Sequence, residues 1–248
     1  MNAAERLDTE LLEHEARRIG LVLKPLQFAL FRRYYQELCT WNARLNLTTI
    51  VDWEAVQVQH FLDSLTCVLA LPDSARNAPY AIVDIGSGAG FPGIPLKIAL
   101  PHITLALVES VQKKAAFLTH LVEVLGLQDV RIYSRRAEEV AHFPECRERF
   151  DLAVSRAVAP LPVVAEYCLP FVRKGGRMIA MKGRDVQDEI RAGAPAVALL
   201  GGQLREVLPV HLPTLDAPRH LVVVDKVSPS PPRYPRRPGL PTKRPLLG

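Results

Sequence analysis

From Ala81 onwards, short apolar runs alternate with segments of helix length, and this alternation constrains the fold more than any other feature of the chain. The runs are Ala81–Ile85, Ile103–Val108, Val130–Tyr133, Leu152–Val154, Arg177–Met181, Leu204–Val210 and Leu221–Val224. Between them lie Ile94–Leu100, Ser110–Leu125, Leu161–Val172 and Asp185–Leu200. Strands and helices in this rhythm build βαβ units, so an α/β fold with a doubly wound, mostly parallel sheet is expected. The last two runs have no helix between them and are expected to form an antiparallel hairpin at one sheet edge. Seven strands closing in this way depart from a plain dinucleotide-binding sheet.

Residues 1–75 read as a helical extension. Leu26, Leu30, Tyr34, Leu38 and Trp41 recur at helical spacing, and Pro25 suits a first helical turn. A polar break runs from Asn42 to Thr49, after which Asp52 can cap a helix running towards Leu71. Residues 76–228 then make up the α/β domain and residues 229–248 a tail.

Hydrophobic residues make up 48% of the 248 and charged residues 23%, which excludes a disordered chain, a collagen-like repeat and a small disulfide scaffold. Aromatics are only 6%, so aliphatic side chains supply most of the core. No stretch reaches the roughly 18 apolar residues of a membrane span. Met1 to Glu15 lacks the pattern of a secretory signal. Cys39, Cys67, Cys146 and Cys168 form no CxxC pair, so a reducing, cytoplasmic setting with ordinary buried thiols is expected.

Charge is placed unevenly. The chain carries +5, while Lys226 to Gly248 holds six basic residues (Lys226, Arg233, Arg236, Arg237, Lys243, Arg244) and no acidic one, leaving the remainder at −1. Seven of the 21 prolines also lie between Pro229 and Pro245. The segment is therefore expected to be extended and polyproline-like, neither helix nor central strand. It could follow a phosphate backbone, stay solvated, or pack back on the sheet as a strap through Tyr234 and the prolines.

The segment from Ile82 to Gly93, IVDIGSGAGFPG, runs a buried strand into a glycine-rich turn at a helix entry. Gly88-Ala89-Gly90-Phe91-Pro92-Gly93 fits GxGxxG, which keeps a nicotinamide dinucleotide and an oxidoreductase open. Counted from the strand end, however, Gly86-Ser87-Gly88-Ala89-Gly90 reads GxGxG. Asp84 sits at the end of that strand, where its carboxylate is expected to face the ligand. That charge is unfavourable beside a pyrophosphate and favourable beside an ammonium or sulfonium. S-adenosylmethionine (AdoMet) carries both cations and no phosphate. Glu109 ends the next strand, nineteen residues after Gly90, where a carboxylate commonly accepts the ribose hydroxyls.

The stretch Asp84 to Leu96, DIGSGAGFPGIPL, resembles the first motif of the bacterial RsmG (GidB) family. The similarity continues through Asn46-Leu47-Thr48, His60-Phe61-Leu62-Asp63-Ser64-Leu65, Ser155-Arg156-Ala157, Lys182-Gly183, Arg219-His220-Leu221 and Arg233 to Gly239. It covers nearly the whole chain in collinear order. It implies a class I AdoMet-dependent methyltransferase with a Rossmann-like seven-stranded sheet and an N-terminal helical extension. The implied reaction is methylation of N7 of a guanosine in small-subunit (16S) ribosomal RNA. The implied partner is that RNA or the 30S particle, met by a monomer, with no metal and no membrane. A non-catalytic RNA-binding assembly factor is the alternative that the basic tail supports. Cofactor contacts are then expected at Asp84, Gly86, Ser87, Gly88, Gly90, Phe91, Glu109 and Arg156. The resemblance adds Ala137 and Glu138 after the third strand; without it, Glu138-Glu139 would read as a solvated pair.

His60, Asp63 and Ser64 fall at i, i+3 and i+4 and share one helical face, either as a local polar cluster or, as the resemblance implies, at the substrate cleft. Ser155 and Arg156 end the fourth strand, on the side where ligands bind in such sheets. Guanine N7 carries a lone pair and no proton, so its methylation needs no base. An arginine there can donate to O6 or to phosphate, or simply pair with a local carboxylate. Lys182 is placed as a phosphate contact. Lys113 and Lys114 read as solvated. The catalytic set is thus Arg156, Ser155, Lys182, His60 and Asp63. If the tail binds RNA, removing residues 229–248 weakens that binding and flattens its salt slope; if it is a strap, removal lowers the melting temperature instead; and AdoMet affinity changes little if the glycine loop and Glu109 alone form the cofactor site.

Overall fold

A computed structural model describes residues 7–183, 186–213 and 218–247. Two helices open it, α1 (Glu10–Arg18) and α2 (Pro25–Leu45). Pro25 stands in the first turn of α2, where a missing N–H costs nothing. The buried stripe of α2 runs through Phe28, Phe31, Tyr34 and Leu38, whereas Leu26, expected inside, is 71% exposed. The helix also continues past Asn42 to Leu45 and stops at Asn46, whose φ of 49° breaks the helical path. Asp52 caps α3 (Trp53–Val56) by accepting from Ala55 N at 2.9 Å. Residues 57–70 are not one α-helix. A π-helical turn at Gln57–Leu62 leads into α4 (Asp63–Leu65) and a 3₁₀ turn at Thr66–Ala70. The π turn changes which side chains share a face, and so which of them reach the candidate site.

The sheet has seven strands: β1 (Ala81–Ile85), β2 (Thr104–Val108), β3 (Val130–Tyr133), β4 (Phe150–Arg156), β5 (Val172–Lys182), β6 (Gly202–Val210) and β7 (Arg219–Lys226). Their order is β3-β2-β1-β4-β5-β7-β6. Pairs among β1 to β5 are parallel, while β7 is antiparallel to both β5 and β6, as the closing hairpin required. Helices α5 (Gly93–Ala99) and α6 (Gln112–Val124) pack with the N-terminal helices on one face. On the other lie α7 (Ala137–Val140), α8 (Leu161–Cys168) and α9 (Val186–Leu199). Helix α8 gives way to a 3₁₀ turn at Leu169–Phe171, and Val172 already belongs to β5. Asp185, expected to open α9, lies outside the described residues. Cys67, Cys146 and Cys168 are buried, and Cys39 is half-buried.

Of the courses open to the tail, the structure shows the strap, and its expected extended, helix-free form is not kept throughout. Lys226 belongs to β7 and is buried, its Nζ donating to Leu169 O and Ser230 Oγ, both at 2.6 Å. Tyr234 packs into the core of the second face. Arg147 donates to Ser230 O at 3.0 Å and to Tyr234 O. Arg236 forks onto the fully buried Glu166, Nη2 to Oε2 at 2.6 Å and Nε to Oε1 at 2.9 Å. A helical turn, α10 (Leu240–Lys243), then forms where none was expected. Its Pro241 occupies the first turn, where no intrahelical bond is lost, and Gly239 enters it at φ 77°. Arg237, Lys243 and Arg244 remain exposed.

Candidate active site

The glycine loop joins β1 to α5 and is braced from the N-terminal extension. Tyr34 Oη donates to Ala89 O at 2.5 Å, and its ring stacks on Phe91 at 5.3 Å between centroids. A Cβ at Gly90 would lie 2.7 Å from that hydroxyl, so the close approach demands glycine. Phe61 and Phe31 back the pair, their centroids 4.9 Å apart. At Gly88 a Cβ would meet nothing nearer than Gly86 O at 3.9 Å, so the loop leaves an open cradle there. This is the space that close passage of a ligand along the backbone requires.

Arg156, at the end of β4, faces this loop. Its Nη1 donates to Asp63 Oδ2 and to Gln59 O, each at 2.8 Å, and its Nη2 to His60 Nδ1 at 3.2 Å. The guanidinium carbon lies 5.0 Å over the Phe91 ring, and His60 stacks on the same ring at 4.5 Å. Because a guanidinium can only donate, Nδ1 of His60 is the acceptor and the proton sits on Nε2, which donates to Thr48 Oγ1 at 2.8 Å. The 3.1 Å approach of Nδ1 to Gln59 O is then a contact and no hydrogen bond. Burial, and secondly the Arg156 cation, push the His60 imidazole down to about 4, so the ring is neutral.

A cavity of about 190 Å³ is lined by Gly86, Ser87, Gly88, Phe91, His60 and Arg156, with Thr48 and Lys114 on its wall. It therefore brings the glycine loop and the Arg156 cluster into one space. Beyond Gly86 and Val158 lies a second cavity of about 100 Å³, lined among others by Val108, Ala137, Glu138 and Tyr167. Glu109 stands beside the loop: Oε2 accepts from Gly88 N at 2.9 Å and Oε1 from Val111 N at 2.7 Å. Each oxygen keeps a lone pair for another donor.

Asp84 does not face the cavity as expected. Its carboxylate is fully buried and turned to the start of α5, with Oδ2 accepting from Gly93 N at 2.9 Å and Oδ1 without a partner. Burial pushes it up to about 7, against the lowering effects of the Gly93 N–H and the Arg156 charge. Its role in the fold is to hold the entry of α5 through Gly93 N.

Other expectations shift as well. Ser155 is buried and donates to Ile85 O at 3.1 Å; alternation along β4 turns it away from the side that Arg156 occupies. Lys182 is not a waiting phosphate contact: its Nζ is held by Ala159 O at 2.6 Å and by Glu189. Ser64 donates to His60 O within its own helix, so of that motif only His60 and Asp63 reach Arg156. Lys114, read as solvated, lines the cavity, while Lys113 is exposed. Tyr34, Thr48 and Val158 were missed as site residues; only the Asn46-Leu47-Thr48 motif signalled one of them. Among the described residues no group of three or more His, Cys, Asp or Glu is arranged to hold a metal, and no helix is long and apolar enough to cross a membrane.

Known proteins resemble this chain in sequence and in fold. A protein of Roseiflexus sp. (strain RS-1) named ribosomal RNA small subunit methyltransferase G is 49% identical, covering 96% of this chain and 99% of its own. One of the same name from Geobacillus kaustophilus is 43% identical, covering 92% and 94%. Among solved structures, MtNAS superposes with TM-score 0.53 at 18% identity over 82% of this chain and 75% of that one. The 16S rRNA (adenine(1408)-N(1))-methyltransferase of Catenulisporales acidiphilia gives 0.50 at 16%, over 64% and 89%. These two likenesses speak to the fold alone. The family model described as rRNA small subunit methyltransferase G matches residues 27–222, and the chain belongs to that family.

Proposed function

We propose that the protein transfers a methyl group from AdoMet to N7 of a guanosine in small-subunit ribosomal RNA, in the cytoplasm. The observation that carries this reading is the cavity in which the open glycine cradle meets His60 and Arg156, the latter held from behind by Asp63. Relatives named for small-subunit ribosomal RNA methylation support the substrate. They leave the dinucleotide reading of the glycine loop without support.

AdoMet supplies an electrophilic methyl on a positively charged sulfur. Gly86 to Gly90 would cradle it, Glu109 would take the ribose hydroxyls, and Ala137 with Glu138 would flank the adenine. The chemistry asked of the protein is alignment, because N7 attacks with a free lone pair and releases no proton. His60 fits that demand: both its nitrogens are engaged and it stays neutral, so it holds Arg156 instead of moving a proton. Three of the five N–H donors of Arg156 are engaged in those bonds, which fixes its plane. Its remaining donors would orient O6 or a phosphate and leave N7 unbonded for attack. Ser155 and Lys182 act, in this reading, by holding strand ends.

Labelled AdoMet incubated with 30S particles, naked small-subunit RNA and large-subunit RNA tests the proposal. Label in small-subunit RNA with wild-type protein, and none with Gly88→Val, is the expected outcome. RNA that binds without acquiring label would identify an assembly factor instead.

A further inference from the structure

The second cavity, beyond Gly86, has two polar wall residues that the C-terminal tail holds in place. Glu138 is 3% exposed, and its Oε1 accepts from Gly239 N at 2.9 Å. Tyr167 Oη and Thr242 Oγ1 share a hydrogen bond of 2.9 Å. Burial raises the Tyr167 phenol above its ordinary range, and the neighbouring Glu138 carboxylate adds to that. Glu138, Tyr167, Gly239 and Thr242 thus form one contiguous polar group at the cavity wall, drawn from α7, α8 and the last turn of the chain.

The tail reaches this place by anchors independent of the cavity. Arg236 on Glu166, Arg147 on the 230–234 backbone and the buried Tyr234 ring all lie upstream of Gly239. They fix where the final turn begins. Gly239, at φ 77°, then directs its N–H to Glu138 as α10 starts. A carboxylate already bonded at one oxygen has less side-chain freedom to lose when the other oxygen meets a ligand.

We infer that Gly239 and Thr242 are positioning residues of the cofactor site, completing its adenosine-side wall through Glu138 and Tyr167. This rests on the reading that the second cavity takes the adenosine end of AdoMet. The tail is then part of the cofactor-binding apparatus, and its removal does not leave AdoMet affinity untouched, contrary to what the sequence led us to expect. Coupling between ligand and strap is reciprocal, so AdoMet also holds the final turn in place.

The test compares the full chain, a truncation ending at Pro238, Thr242→Val, Glu138→Ala, and Glu138→Ala combined with the truncation. Calorimetry gives the Kd for AdoMet and for S-adenosylhomocysteine, and thermal melts without ligand report stability. The truncation keeps the Arg236 and Arg147 anchors but loses the buried Pro241 and the Leu246 contact with the second-face core, so its melting temperature is expected to fall modestly, a loss that the Glu138→Ala background separates from any effect on the cofactor. It is expected to weaken both ligands about tenfold and by the same factor, since they share the adenosine end, the scale of one hydrogen bond to a charged group. Thr242→Val, which keeps the chain intact, is expected to weaken them about threefold. In the Glu138→Ala background the truncation is expected to lose most of its effect. Wild-type affinity in both the truncation and Thr242→Val, with Glu138→Ala weakened, overturns the strap proposal alone. An undiminished effect of truncation in the Glu138→Ala background also overturns it, because the strap would then act by general destabilisation. Wild-type affinity in Glu138→Ala, with Glu109→Ala weakened, overturns the reading of the cavity and the strap proposal with it.

Discussion

Arg156 Nη1 and Asp63 Oδ2 lie 2.8 Å apart, tying the end of β4 to the helical extension beside the candidate site. Asp63 is buried and Arg156 mostly so, and the guanidinium of the same arginine lies 5.0 Å over the ring of the glycine loop's Phe91. The pair therefore sets where a cation stands relative to an incoming base. Arg156→Ala is expected to lower the methylation rate about 10²-fold, the cost of misplacing a reacting group, with AdoMet affinity changed far less. Arg156→Lys is not expected to rescue it, since a point charge cannot reach Asp63, Gln59 and His60 at once. Asp63→Ala leaves a mostly buried guanidinium short of its counter-charge and is expected to cost about 3 kcal/mol in denaturant melts. Wild-type turnover in Arg156→Ala would reduce the residue to a structural ion-pair partner.

Glu109 is expected to contribute to AdoMet binding twice, as a ligand and as the acceptor that shapes the loop through Gly88 N and Val111 N. Glu109→Ala is expected to weaken AdoMet by about 1–3 kcal/mol in calorimetry. Gly88→Val places its side chain in the open cradle at φ 58° and is expected to abolish binding while the protein still melts cooperatively. Normal binding by that variant would remove the loop from the site.

The His60 proton gives a pH signature. Its folded-state pKa, about 4, lies below the ordinary 6.5, so between these values the unfolded chain holds the extra proton. This contribution to stability is complete above about pH 6.5 and is lost as pH falls towards 4. Melting temperatures from pH 8 to pH 4 are expected to fall more steeply for wild type than for His60→Asn. Parallel curves would place the imidazole in a solvated setting.

The strap anchor is expected to be worth more than a surface ion pair. Glu166 is fully buried, and Arg236→Ala would leave its carboxylate with the residue 236 backbone N–H bond alone. A loss of about 3–5 kcal/mol is expected in chemical denaturation. Arg237→Ala, at an exposed position, should leave stability within about 0.5 kcal/mol. If Arg237 follows a phosphate, it should instead lower the salt slope of RNA binding by about 0.7.

The sheet was legible from short apolar runs bounded by turns: Ala81–Ile85, interrupted only by Asp84, coincides with the buried strand β1, and Val130–Tyr133, interrupted by the exposed Arg131, coincides with the half-buried edge strand β3. The glycine loop was legible for a similarly local reason, a strand end followed by closely spaced glycines. What escaped depends on contacts distant in sequence. The start of β5 at Val172 was hidden by its exposed Arg173-Lys174-Gly175 stretch. The π turn at Gln57–Leu62 carries no compositional mark, and the composition did not show that Ser64 bonds back to His60 O while His60 and Asp63 reach Arg156. Lys182 and Lys226 looked like free cations because their partners, Glu189 and Glu148, become neighbours only in the folded chain. The tail's composition concealed its seat on Glu166 and Glu138.

Methyl transfer to guanine N7 in small-subunit RNA leaves a defined product. Mass spectrometry of nucleosides from 30S particles and naked RNA, treated with the protein and AdoMet, tests it most directly. The expected result is 7-methylguanosine appearing in small-subunit RNA, dependent on AdoMet and absent with Gly88→Val. A methyl group on another nucleoside or another atom of guanine, or no methylated product from any small-subunit substrate, would contradict it.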